Sequence, residues 1–266
     1  MYLINGQNQD CLDVRDRGIQ FGDGCFTTAR IINGDVRFLH DHLVRLRRDA
    51  RRLRITPPDW KLLQTEMISL AAGIERGVLK VMLTRGPGGR GYSAANCRQT
   101  SRILSQAPWP AHYDALRASG LRLVSSPVRL GSNIQLAGIK HLNRLEQVMI
   151  RMHLDQTECD EALVLDSAGM LVECCAANLL WRKGTQIYTP ALQHSGVEGT
   201  MRRHILRLLH AAGRTVNVVR AKPEELMQAD EVLACNALMP VLAVREIDGQ
   251  HFGGRDLFNF LSPRCE

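Results

Sequence analysis

From Leu39 onward apolar residues return at Leu43, Leu46, Ala50 and Leu53, while arginines occupy positions 45, 47, 48, 51, 52 and 54. That period predicts a helix with a basic outer surface. It ends at "TPPDW", because proline gives no backbone N–H and restricts the residue before it. Upstream, "YLINGQ" reads as strand and turn, and "GIQFGDGCFTTARIINGDVRFL" as two strands joined at Asn33-Gly34, a strong hairpin dipeptide. A second helix is predicted from about Pro58 to Ala72. Strand "GVLKVMLT" then leads into the glycine-rich "RGPGGRGYS", and strand "RILSQAP" closes this half. "PWPAHYD" reads as the crossing between two domains.

The second half opens with strand "LRLVSSPVRL" and the segment "LAGIKHLNRLEQVMI", whose leucines and methionines fall into helical spacing to about Gln156. A hairpin, "EALVLDSAGMLVECCAANLLW", turns at Asp166 to Gly169, followed by strand "QIYTP". "GVEGTMRRHILRLLHAAG" is a helix with Gly199 at its start and Gly213 as its C′ residue. Strand "TVNVVR", short helix "KPEELMQA", strands "DEVLACNA" and "VLAVREIDGQ" and a tail helix complete the chain. Mixed strands and helices with many hairpins exclude a purely parallel doubly wound sheet. The expectation is an α/β (α+β) chain of two domains, 1–112 and 113–266.

Composition changes this picture little. The 266 residues are 45 % hydrophobic and 23 % charged, ordinary values for a globular protein able to bury a substantial core. The start lacks a basic segment followed by an apolar one, and no run approaches the ~18 apolar residues that span a bilayer. A whole, cytoplasmic chain is expected. The eight cysteines are scattered apart from adjacent Cys174 and Cys175, with no Cys-x-x-Cys spacing. Reduced thiols are expected, and no structural zinc. A net charge of +7 attracts anions of any kind and cannot choose among them.

Several candidate motifs have plain readings. "GPGGRG" has dinucleotide-loop spacing, but no amphipathic helix opens at Gly91 and no acidic residue lies between Tyr92 and Tyr113 to take a ribose hydroxyl. It reads better as a loop presenting Arg85, Arg90 and Tyr92. Arginines 45, 48 and 52 line one helical stripe, which suits phosphates or is simply a solvated face. His40 and His42, two apart on a helix, point to different faces and make poor metal ligands. Glu173 lies in an apolar strand where an ionised carboxylate needs a cationic or protonated partner, unless it sits at a solvated strand edge. Lys140 is a lone cation in an apolar frame, either a snorkelling surface lysine or a reactive amine.

Taken in order, a lysine before a helix, a glutamate on a strand about thirty residues later, the helix start "VEGTMR" and the turn "CNALMP" resemble the fold type IV family of pyridoxal-phosphate enzymes. That family holds the branched-chain and D-amino acid aminotransferases and their lyase relatives. The segments "QFGDGCFTTAR", "LTRGPGGRGYS", "GIKHLNRLEQV", "DEALVLDSAG", "ECCAANLLW" and "CNALMPV" resemble, more narrowly, its aminodeoxychorismate lyases, over nearly the whole chain. Leu180 departs from the pattern, standing where the family has Phe or Tyr, with Trp181 beside it.

The resemblance implies a small α/β sandwich domain and a larger domain with a mixed, barrel-like sheet carrying the lysine and most of the cofactor site. It makes Lys140 the residue that binds pyridoxal 5'-phosphate through its amine, which reacts only when unprotonated and so suits apolar neighbours. Glu173 would face the pyridine nitrogen. Arg45, the helix start Gly199, Thr200 and Met201, and Asn236 with Ala237 would hold the phosphate. Arg90 and Tyr92 would meet carboxylates of 4-amino-4-deoxychorismate. Thr28, in "FTTAR" where aminotransferases often carry Phe-Glu or Tyr-Glu, would hydrogen-bond Lys140 and direct its proton. The implied reaction releases 4-aminobenzoate and pyruvate, in folate biosynthesis, by a homodimer. The alternatives are a D-amino acid or branched-chain aminotransferase of the same fold and, outside enzymes, a basic anion- or nucleic-acid-binding protein.

Overall fold

The structure, a computed structural model, describes residues 1–266 and packs as two units. One comprises Met1–Pro110 with Lys140–Asn143, the other Ala111–Ile139 with Arg144–Glu266. The lysine expected in the larger domain thus groups with the first unit. The cause is local: Phe26 N–H donates to Lys140 C=O (2.9 Å), Leu142 N–H donates to Gly24 C=O (3.0 Å), and Cys25 and His141 form an antiparallel bridge.

The first unit contains β1 (Tyr2–Ile4), β2 (Gln7–Asn8), α1 (Arg17–Phe21), β3 (Gly24–Ile32), β4 (Asp35–Val36), α2 (Leu39–Arg52), α3 (Trp60–Ala71), β5 (Arg76–Thr84) and β6 (Ser101–Pro108). Its strands form one antiparallel sheet in the order β2-β1-β6-β5-β3-β4. Side chains alternate along β3. Cys25, Thr27, Ala29 and Ile31 are fully buried on the face that meets α2, where Leu43, Leu46 and Ala50 continue the core. Full burial of each large apolar side chain contributes about 1.5–3 kcal/mol. Phe26 and Thr28, on the other face, are only half-buried.

The hairpin at Asn33-Gly34 is as expected, with φ of +50° and +83°; such a turn needs two left-handed residues, which asparagine and glycine adopt at least cost. Residues 18–21, expected as strand, belong instead to the helical turn Arg17–Phe21. Asp16 caps it by accepting the Gly18 N–H (2.8 Å), and left-handed Gly22 (φ 62°) ends it. The arginine stripe of α2 is not continuous in exposure, since Arg45 is buried, Arg48 half-buried and Arg52 exposed.

The second unit contains α4 (His112–Ser119), β7 (Leu121–Ser125), α5 (Leu145–Leu154), β8 (Glu161–Leu165), β9 (Leu171–Cys174), β10 (Asn178–Lys183), β11 (Gln186–Pro190), α6 (Thr200–Ala211), β12 (Val216–Val219), α7 (Pro223–Leu226), β13 (Glu231–Cys235), β14 (Leu242–Ile247), β15 (Gln250–His251) and α8 (Asp256–Leu261). The "PWPAHYD" stretch, read as a crossing, already contains the start of α4. The strands form a mixed sheet, β12-β11-β10-β13-β14-β7-β8-β9, with β15 on β14. The β11/β12, β14/β7 and β7/β8 pairs are parallel. Leu121, Leu163, Leu179, Val232 and Leu242 lie in one buried cluster. Trp181 belongs to it, stacked on Tyr188 at 5.5 Å, and Leu180 beside it is fully buried.

All eight cysteines are free thiols. Burial pushes Cys25 and Cys235 up to about 12 and Cys174 well above its usual range. No helix is long and apolar enough to cross a membrane.

Candidate active site

The lysine half of the candidate residues belongs to the first unit. Both backbone groups of Lys140 are engaged: its N–H donates to Asp49 Oδ2 (3.1 Å) and its C=O accepts from Phe26. Asp49 is fully buried on α2, one turn beyond Arg45, and also meets Arg48 (Nη2–Oδ1, 2.9 Å). The side chain of Lys140 is half-buried, with Nζ 4.6 Å from the centre of the Phe26 ring. Lys80 on β5 reaches the same ring at 5.3 Å. Thr28 pairs across the sheet with Lys80 and shares the strand face of Phe26. The neighbouring threonine, Thr27, points the other way, toward α2.

There Thr27, His42 and Arg45 form a buried trio. The Thr27 hydroxyl accepts from Arg45 and lies 2.6 Å from His42 Nδ1. Burial, reinforced by the nearby Arg45 charge, lowers the His42 pKa to about 3. The imidazole is neutral, and since Thr27 Oγ1 already accepts from Arg45, its proton is available to Nδ1. Sequence reading placed Arg45 but missed that Thr27 and His42 orient it. The signal was present at Thr27, a polar residue alternating with apolar Cys25, Ala29 and Ile31.

The anion half of the candidate residues belongs to the second unit. Glu173 on β9 is 5 % exposed and accepts from Val197 N–H (2.9 Å) and from Asn178 Nδ2 (3.3 Å). Asn178 ties the site together. Its Nδ2 also donates to Val197 C=O (2.9 Å), and its Oδ1 accepts from Gly199 N–H (3.2 Å). A Cβ on Gly199 would lie 2.1 Å from that Oδ1, so only glycine lets the chain pass. Just upstream, Gly138 N–H donates to Gly196 C=O (2.9 Å) and Glu198 N–H to Gly138 C=O (3.0 Å).

Gly199 is the N-cap of the twelve-residue α6, and no side chain caps it. The first N–H groups of a helix have no partner within it, so Thr200 and Met201 offer donors at the positive end of the helix dipole. Arg202, buried in the same turn, donates to Thr189 Oγ1 (3.0 Å) and Pro190 C=O (3.0 Å), with a pKa lowered chiefly by burial. An uncapped helix start, a cradle without room for a Cβ and a buried cation beside it fit a phosphate.

Asn236 follows β13, whose last residue, Cys235, pairs with Asn178. Its side chain is committed: Oδ1 accepts from Leu238 N–H (2.8 Å) and Met239 N–H (2.6 Å), and Nδ2 donates to Ala176 C=O (3.0 Å). Asn236 therefore shapes the turn carrying Ala237. Glu161, missed by sequence reading, is buried at the start of β8 and accepts from Ala162 N–H (2.9 Å) and Ala176 N–H (3.1 Å). Burial raises its pKa to about 7, against the lowering effect of these bonds. Arg90 and Tyr92 lie exposed on the loop after β5, with the Tyr92 ring 5.5 Å from Phe21.

Residues 24–247 match the family described as amino-transferase class IV. The chain is 36 % identical to an aminodeoxychorismate lyase of Vibrio harveyi, over 93 % of this chain and 91 % of that one. It is 28 % identical to a putative branched-chain-amino-acid aminotransferase of Methanocaldococcus jannaschii, over 93 % and 88 %. Its structure superposes on the crystal structure of 4-amino-4-deoxychorismate lyase from Pseudomonas aeruginosa with a TM-score of 0.95, 36 % identity and coverage of 99 % and 97 %.

Proposed function

The chain belongs to the amino-transferase class IV family, and on that premise we propose that it is a pyridoxal-phosphate-dependent lyase converting 4-amino-4-deoxychorismate to 4-aminobenzoate and pyruvate. The observation that carries this reading is the likeness to two lyases, each at 36 % identity over more than nine-tenths of the chain. In this reading Lys140 would hold the cofactor's aldehyde carbon and the α6 start its phosphate, with Arg45 as a further cation. Glu173, fixed by Val197 and Asn178, would meet the ring nitrogen.

When bound, the cofactor supplies a protonated ring that draws electrons from the carbon bearing the substrate amine. The chain does the rest. The Lys140 amine takes the proton from that ring carbon. The C–O bond to the enolpyruvyl group then breaks as the ring aromatises. Lys140 returns a proton to the departing enolpyruvate at its methylene carbon, giving pyruvate. Thr28, on the strand face that carries Phe26, steadies the amine through its hydroxyl. Arg90 and Tyr92 meet the substrate carboxylates.

The protein acts as a homodimer in the cytoplasm. An exposed stripe on α5 supports the first point: Leu145, Val148, Met149 and Met152 are 77, 51, 55 and 62 % exposed. Antiparallel pairing with a second copy would set Leu145 against Met152 and Val148 against Met149, with Glu146 opposite Arg151. The free thiols fit a reducing compartment.

The test is purified protein with 4-amino-4-deoxychorismate and no keto-acid acceptor. Pyruvate and 4-aminobenzoate in equal amounts are expected; turnover only with a keto acid would make it an aminotransferase. Thr28→Val should slow pyruvate release about tenfold and leave cofactor attachment unchanged. Equal effects on both would remove its role.

A further inference from the structure

The glycine-rich loop between β5 and β6 has no regular structure, yet one buried side chain grips it. Arg17, the first residue of α1, is 4 % exposed. Its Nη1 donates to the carbonyls of Gly91 (3.0 Å) and Ser93 (3.3 Å), and its Nη2 to that of Tyr92 (3.1 Å). Its Nε donates to Asp23 Oδ2 (2.8 Å). A guanidinium holds several donors in one rigid plane, so three consecutive carbonyls can be bound at once.

The rest of the loop base is arranged around this grip. Arg17 N–H donates to Gly86 C=O (3.1 Å), Gly88 N–H donates to Arg15 C=O (3.2 Å), and Asp16 bridges Pro87. A Cβ on Gly88 would fall 2.8 Å from Arg17 Cδ, so the bare glycine is what lets the arginine pass beneath. The guanidinium lies 4.7 Å from the Phe21 ring centre, and that ring in turn meets Tyr92. Asp23 also receives Arg85 through Nε (2.7 Å) and Nη2 (2.9 Å), and Arg85 donates onward to the carbonyls of Arg54 (2.6 Å) and Leu53 (2.8 Å) just past the end of α2. With two arginines on it, Asp23 stays ionised despite its burial, its pKa held below the usual range.

We propose that Arg17 is a positioning residue for substrate recognition, fixing the backbone of residues 91–93 so that Arg90 and Tyr92 are presented in one geometry. It touches no substrate itself. The inference rests on the reading above, in which that loop meets the substrate carboxylates. Without the grip, the loop samples many conformations and the substrate must order it on binding, which raises KM more than it lowers kcat.

Arg90 is itself a tryptic site, so the holoenzyme reports on the clamp without substrate. Arg17→Lys keeps a cation for Asp23 but cannot span three carbonyls. It should speed trypsin cleavage after Arg90 about tenfold and raise KM by a similar factor, with kcat within about threefold and cofactor absorbance unchanged. Gly88→Ala, which displaces Arg17 without removing a charge, should do the same to a smaller degree and serves if the lysine variant folds poorly. Unchanged cleavage at Arg90 in both variants would overturn the clamp. Faster cleavage with an unchanged KM would leave the clamp standing and overturn the assignment of the loop to substrate.

Discussion

The two halves of the candidate residue set are made of different material. The lysine half is a lattice of side chains: Asp49 holds the Lys140 peptide, and Thr27, His42 and Arg45 hold one another. The anion half relies on main chain, with Val197 and Gly199 N–H groups and the open start of α6 arranged by the one side chain of Asn178. Side-chain lattices fail piecemeal when a member is trimmed. Main-chain cradles fail when a side chain is added.

The largest effect should come from the lysine half. Lys140→Ala removes the proposed nucleophile and proton carrier together, and turnover should fall by at least about a thousandfold with loss of the protein's cofactor absorbance. Retained colour and activity would move the chemistry to another amine, Lys80 being the first to test. Next comes addition rather than removal. Gly199→Ala forces a methyl group to within 2.1 Å of Asn178 Oδ1 unless the chain shifts, and cofactor affinity measured by titration should weaken roughly ten- to hundredfold. An unchanged affinity would mean that the α6 start is not the phosphate cradle.

Smaller still is Thr27→Val, which leaves Arg45 and His42 each short of a buried partner and should cost about 1–3 kcal/mol in unfolding free energy. His42 and Glu161 respond to pH in opposite ways. His42 titrates near 6.5 when unfolded and about 3 when folded, so the unfolded chain holds the extra proton in that window and stability falls as pH drops through it. Glu161 is the reverse. Its pKa rises from 4.5 to about 7 on folding, the folded chain holds the extra proton, and stability falls as pH rises through that window. Each slope is at most about 1.4 kcal/mol per pH unit. Between 4.5 and 6.5 they oppose each other, so the natural chain should show little net slope from these two groups. Glu161→Gln should expose a slope rising with pH, and His42→Gln one falling with pH. Identical profiles for all three proteins would exclude both groups as determinants.

Local features were legible in the sequence. The period of α2, the left-handed pair at Asn33-Gly34 and the Gly213 end of α6 are set by near neighbours, and they appear as read. The oddness of Lys140 and Glu173 was legible too, because a charge in an apolar run has few explanations. What escaped was long-range. The bond from Lys140 to Asp49 crosses 91 residues and that from Arg17 to Tyr92 crosses 75, and alternation along a strand names a face without naming what meets it. For the same reason the parallel pairing of β7 with β8 and β14, and the membership of Lys140 in the first unit, needed coordinates. The start of α4 escaped differently, since two prolines just before it mask a short helix.

The peptide of Lys140 is pinned at both its N–H and its C=O, which separates shoulder from arm. A proton carried by Nζ can travel from one atom to another by rotation about side-chain bonds alone, without moving any backbone. Such rotations take picoseconds to nanoseconds, against turnover times of milliseconds to a second for ordinary enzymes. In the proposed reaction, delivery by the swinging amine would then be too fast to set the overall rate, which would fall instead to bond breaking or to departure of the products.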